Sequence, residues 1–181
     1  MGATRNTTLS LAALAIFAFC GLAGAAAEAQ ETREDTRFAI DFQGFLGLSE
    51  EVIAYRAERL VSLETFNEMK AEEDTIILDT RSADAFARGH IAGAVHLNFS
   101  DFTDEKLAEA IPSRDTRILI YCNNNFEDDV EPVLLKSSPL ALNVPTFVNL
   151  VGYGYDNVYE LGELVRLDDP AVAWATLDAV S

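Results

Sequence analysis

The chain predicts an α/β domain with a central, mostly parallel sheet flanked by helices, on three observations. Short apolar runs, "TIILD" (75–79) and "TRILIYC" (116–122), are rich in β-branched residues and bounded by charge, as strands buried on both faces are. Segments with helical spacing and cap-type residues lie between such runs, so strand-like and helix-like pieces alternate. Finally, 181 residues with 49% hydrophobic content suit one domain with a substantial core.

The first thirty residues stand apart from this pattern. Arg5 precedes an apolar run over residues 9–22, and small residues follow, which is the layout of a secretory signal peptide. Cleavage is expected after Ala27 or Ala29, with the second preferred. The expected location is therefore periplasmic or secreted, with membrane contact only transient, through the signal. Removing residues 1–29 takes away Arg5 and Glu28 and leaves the net charge at −17. A chain this acidic repels nucleic acid and anionic membranes. It also takes away Cys20, so Cys122 becomes the only cysteine and no internal disulfide can form. With His90 and His96 as the only other soft ligands, and no paired spacing, neither a metal nor another cofactor is expected.

Each later element has its own signal. Residues 30–58 read as an acidic leader followed by a helical extension, with Ser49 as the N-cap of a helix running to about Arg59. "SLETFNEMKAEED" has Leu63, Phe66 and Met69 at helical spacing, "SADAFARG" starts at Ser82 and closes at Gly89, and "DEKLAEAI" stops before Pro112. "AVHLNF" and "DNVYEL" read as further strands. Pro132 and Pro139 forbid a long helix after Cys122, leaving room for one turn over 133–136. A helix is expected from Asn143, with Pro145 in its first turn. "PAVAWATLDAV" reads as a terminal helix within residues 166–181.

Residues 77–99, "ILDTRSADAFARGHIAGAVHLNF", resemble the rhodanese domain. The matching positions are Asp79 and Arg81 after a strand, Phe86, the Gly89-His90-Ile91 turn, and Gly93-Ala94 before the next strand. "RILIYC" ends where that family places its catalytic cysteine, and "GYDNVYEL" looks like its last strand, so the likeness spans roughly residues 59–165. The resemblance implies a rhodanese-like fold and a sulfurtransferase in which Cys122 carries sulfane sulfur as a persulfide. Its partners would be a small sulfur-containing donor and a thiol or cyanide acceptor. It further implies that Asn123, Asn124, Asn125, Phe126 and Arg81 bind substrate, supported by Asp79 and His90. The residues themselves also allow Asp79 and Arg81 to be a structural ion pair, and His90 to satisfy backbone groups in its turn.

The loop departs from the family pattern. A basic residue there commonly binds the anionic donor, but Glu127, Asp128 and Asp129 follow the asparagines, and the first cation is Lys136. The acids are expected to oppose a dianion and raise the cysteine pKa. Three asparagines still permit a tight cradle of backbone amides, because Asn tolerates left-handed angles. The segment rich in Leu134, Leu135, Leu140 and Leu142 is expected to fold over the site. The loop also resembles those of cell-cycle dual-specificity phosphatases and arsenate reductases, but Asp128 stands where they need an oxyanion-clamping arginine. The alternatives to sulfur transfer are a non-catalytic binding module on the same fold and a redox-sensing thiol.

Overall fold

Five parallel strands make the central sheet, in the order β1-β6-β5-β2-β4. They are β1 (Leu60–Val61), β2 (Thr75–Asp79), β4 (Ala94–His96), β5 (Arg117–Tyr121) and β6 (Val158–Leu161). A separate antiparallel pair joins β3 (His90–Ile91) to β7 (Trp174–Ala175). The computed structural model describes residues 40–177, and those from Phe42 onward belong to one unit. The signal, its cleavage sites, Cys20 and the leader up to residue 39 lie outside the described residues. Among the described residues no helix is long and apolar enough to cross a membrane.

Helices α1 (Phe42–Ala57), α2 (Leu63–Lys70), α3 (Ala83–Arg88), α4 (Asp104–Ala110) and α5 (Asn143–Gly152) complete the unit. Three of them start at predicted or cap-type residues whose oxygens take otherwise orphaned N–H groups: Ser62 accepts from Thr65, Ser82 from Ala85, and Thr103 from Lys106. Four expectations need correction. Helix α1 begins well before Ser49, which sits inside it and donates its hydroxyl to the Phe45 carbonyl. No helical turn forms over 133–136; a 3₁₀ turn occurs instead at Ser138–Leu140. The strand in "AVHLNF" stops at His96, and Phe99 belongs to a 3₁₀ turn. The expected C-terminal helix is absent from residues 166–177. Pro170–Val172 form a 3₁₀ turn, Ala173 takes a left-handed φ of 53°, and Trp174 enters β7.

Strand alternation sorts the core into two layers. Ile118, Ile120, Leu78 and Val158 pack with Phe147, Leu150 and Val52 from α5 and α1. Leu119, Tyr121, Ile77 and Leu161 face the other way, against Phe66, Ile91, Phe126 and Val172. Gly89 illustrates how close the second layer is. Its φ of 165° is ordinary extended backbone, so it is not the left-handed cap that its place after α3 suggests; a Cβ there would lie 2.4 Å from Trp174 Nε1.

Candidate active site

The strand pattern decides where each site residue points. Cys122 follows Tyr121 at the end of β5, in step with Ile118 and Ile120, and therefore faces α5. The backbone N–H groups of Asn143, Asn124 and Leu142 are directed at its sulfur, two of them from the start of α5. The N-terminus of α5 thus supports the thiolate, although about twenty residues of sequence separate the two. Burial acts the other way and is the larger effect: Cys122 is only 1% exposed, and its pKa is pushed up. The charge that adds to the rise is Glu160. Two of the three acids after the loop are occupied elsewhere: Asp128 accepts from the Leu167 N–H, and Asp129 from the Leu135 N–H.

The three asparagines form a 3₁₀ turn, and their amides are structural. Asn125 Oδ1 takes the Cys122 N–H at 2.9 Å, while Asn125 Nδ2 donates to the Leu161 carbonyl at 2.7 Å. Asn123 Nδ2 donates to the Leu134 carbonyl, and Asn124 pairs with Lys136 through both its amide atoms. These bonds fold residues 134–136 back onto the loop. Arg81, Ser82, Ala85, Cys122, Asn123, Asn124, Lys136 and Leu142 consequently line one cavity of about 210 Å³. Lys136, which looks too distant in sequence, lines the same cavity as the thiol.

Other expected site residues lie elsewhere. Phe126 is fully buried in the core, edge-on to Tyr121 and Trp174, and does not line the cavity. The reason is that the loop is a single turn, after which the chain re-enters the core. His90 stacks on Phe86 with its Nδ1 at the Phe86 carbonyl, and is not a cavity residue. Asp79 faces the layer opposite Cys122 and grips Arg81 through Nε, Nη2 and the backbone N–H. Tyr121 Oη donates to Asp79 at 2.5 Å and accepts the Ile91 N–H at 3.0 Å. Burial, and then the Asp79 charge, hold the Tyr121 pKa well above the phenol range. Arg81 Nη1 has no partner, and Arg81 lines the cavity.

A second buried carboxylate was not anticipated. Glu160 alternates with Val158 on β6 and so points to the α1 and α5 side. It receives Arg56 Nε at 2.7 Å and Nη2 at 2.6 Å, and Asn143 Nδ2 at 3.2 Å. The only hint in the sequence is one charge inside the strand "VYEL". Among the described residues no group of three or more His, Cys, Asp and Glu side chains is gathered as metal ligands.

The pattern of the Rhodanese-like domain family matches residues 62–162, more than half of the chain. The chain belongs to the rhodanese-like domain family. The match covers every strand of the sheet except β1, together with the Cys122 loop, and leaves α1 outside. Among solved structures, the rhodanese-like domain of the Alr3790 protein from Anabaena sp. is 18% identical, with a TM-score of 0.41, over 56% of this chain and 92% of that one. The BH2092 protein from Bacillus halodurans is 16% identical, with a TM-score of 0.39, over 62% and 72%. The polysulfide-sulfur transferase homodimer from Wolinella succinogenes is 15% identical, with a TM-score of 0.39, over 68% and 80%. No curated protein sequence matches the chain.

Proposed function

We propose that this rhodanese-like protein is a sulfurtransferase whose sulfur carrier is Cys122. The observation that carries this reading is the setting of the thiol. Cys122 lines a small cavity, backbone amides of Asn143, Asn124 and Leu142 point at its sulfur, and Lys136 and Arg81 line the same space. The amides stabilise negative charge on the sulfur and, after transfer, on the persulfide, while the Lys136 charge favours an anionic donor.

With thiosulfate as donor, the Cys122 thiolate attacks the outer sulfur. A new S–S bond forms, the S–S bond within the donor breaks, and its electron pair leaves with sulfite. Cyanide or a thiolate acceptor then takes that sulfur, and the electron pair of the cysteine S–S bond returns to Cys122. Neither step needs an external oxidant. We also propose residues 1–29 as an export signal, which the N-terminal mass of the protein recovered after expression tests directly.

The decisive experiment weighs the intact protein after incubation with thiosulfate and, separately, with a polysulfide. Gain of one sulfur atom, absent in Cys122→Ser and released by cyanide as thiocyanate, is expected. No gain from either donor overturns the reading.

A further inference from the structure

We infer that Arg56, on the helix that precedes the family domain, is a positioning residue for Cys122, acting through the Glu160 carboxylate and the two asparagines that bridge it to the thiol. The inference rests on Cys122 being the reacting group. Its geometry is continuous. Arg56 holds Glu160 with two hydrogen bonds, at 2.7 and 2.6 Å. Asn143 Nδ2 reaches both Glu160 Oε1, at 3.2 Å, and Asn125 Oδ1, at 3.1 Å. Asn125 Oδ1 in turn accepts the Cys122 N–H, and the Asn143 backbone N–H points at the sulfur. One residue, Asn143, therefore touches the carboxylate with its side chain and the thiol with its main chain.

Charge gives this chain of contacts a chemical effect. Glu160 is 5% exposed, so water screens it poorly, and its negative charge opposes a thiolate on Cys122. The bidentate guanidinium offsets that charge and fixes the carboxylate towards α1. Glu160 from β6 is the charge that acts on the sulfur; Lys136 and Arg81 line the cavity, but the Arg81 guanidinium is held by Asp79 and the Gly89 carbonyl on the opposite layer, and Arg56 reaches the sulfur through Glu160. Removing Arg56 leaves a buried carboxylate beside the sulfur without its cation, whereas removing the carboxylate charge relieves the sulfur.

The test is the pH profile of iodoacetamide alkylation, read on the peptide bearing Cys122 in the full chain, for the parent, Arg56→Gln, Glu160→Gln and the double variant. Alkylation needs no sulfur donor, so its outcome is independent of whether the protein transfers sulfur. Arg56→Gln should raise the midpoint by about one pH unit, a tenfold loss of thiolate below the midpoint. Glu160→Gln should lower it, and in that background Arg56→Gln should have little further effect. Arg56→Lys should restore part of the parent profile. Equal shifts from Arg56→Gln in both backgrounds, a downward shift, or no shift overturns the inference. Glu160→Gln keeps the side chain's volume and its hydrogen bonding to Asn143 possible, so an unchanged profile in that folded variant overturns it even if Arg56→Gln fails to fold.

Discussion

Each face of the sheet buries one carboxylate gripped by an arginine, and the two pairs are used differently. Asp79 and Arg81 lie two residues apart, with Tyr121 and the Gly89 carbonyl closing the cluster on the face that packs β3 and β7. Glu160 and Arg56 lie more than a hundred residues apart, and their cluster runs on through Asn143 to the thiol. The first pair closes on itself and holds a turn. The second is open at one end, and that end is Cys122. A buried ion pair thus has its meaning set by what its remaining hydrogen-bonding atoms touch.

Substitutions can break this contrast, and the largest effect belongs to the thiol that defines it. Cys122→Ser should abolish sulfur uptake in the intact-mass assay while leaving the melting temperature near that of the parent. Asp79→Ala should come next, because it strands a guanidinium that is 4% exposed; a loss of about 3–5 kcal/mol is expected in urea unfolding. The alkylation profile of whatever remains folded should not move. If it does, the two faces are not separate. Tyr121→Phe removes a hydroxyl that serves both Asp79 and the Ile91 N–H, for about 1–3 kcal/mol by the same measurement.

Two smaller effects sharpen the other side. Because Cys122 is raised and the thiolate is the nucleophile, sulfur uptake at fixed donor should climb with pH through neutrality and level off only above the ordinary thiol range near about 8.5. A rate that falls over this interval would contradict the thiolate mechanism. Lys136→Ala should raise the KM for thiosulfate about threefold with kcat nearly unchanged, as expected for an exposed charge worth up to about 1 kcal/mol. Added salt should shrink that difference.

Much of the frame was legible from local chemistry. "TIILD" and "RILIYC" read as strands because buried parallel strands have few other spellings, Ser62 and Ser82 mark helices by the N–H groups they satisfy, and Pro145 in the first turn marks the start at Asn143. What escaped depends on contacts remote in sequence. Lys136 joins the cavity only because Asn123 and Asn124 tie residues 134–136 back to the loop, and such amide bonds leave no periodic trace. Phe126 looked like a loop residue because the length of the turn before it is not written in its neighbours. The C-terminal helix failed at Ala173, whose left-handed angle no alanine advertises. Arg56 gave no signal, since an arginine near a helix end is ordinary until a carboxylate appears opposite.

Strand β6 lies between β1 and β5 in the sheet, so the Glu160 it carries reaches the thiol only where that sheet is assembled. Every group that conditions the sulfur comes from a different stretch of the chain: residue 56, the turn at 123–125, the start of α5, and residue 160. The site is therefore a product of long-range contacts, which parallel topologies form slowly. A refolding chain is expected to carry an ordinary cysteine until β6 docks, so the rate at which a thiol reagent slows on Cys122 during refolding reports the completion of the five-stranded sheet.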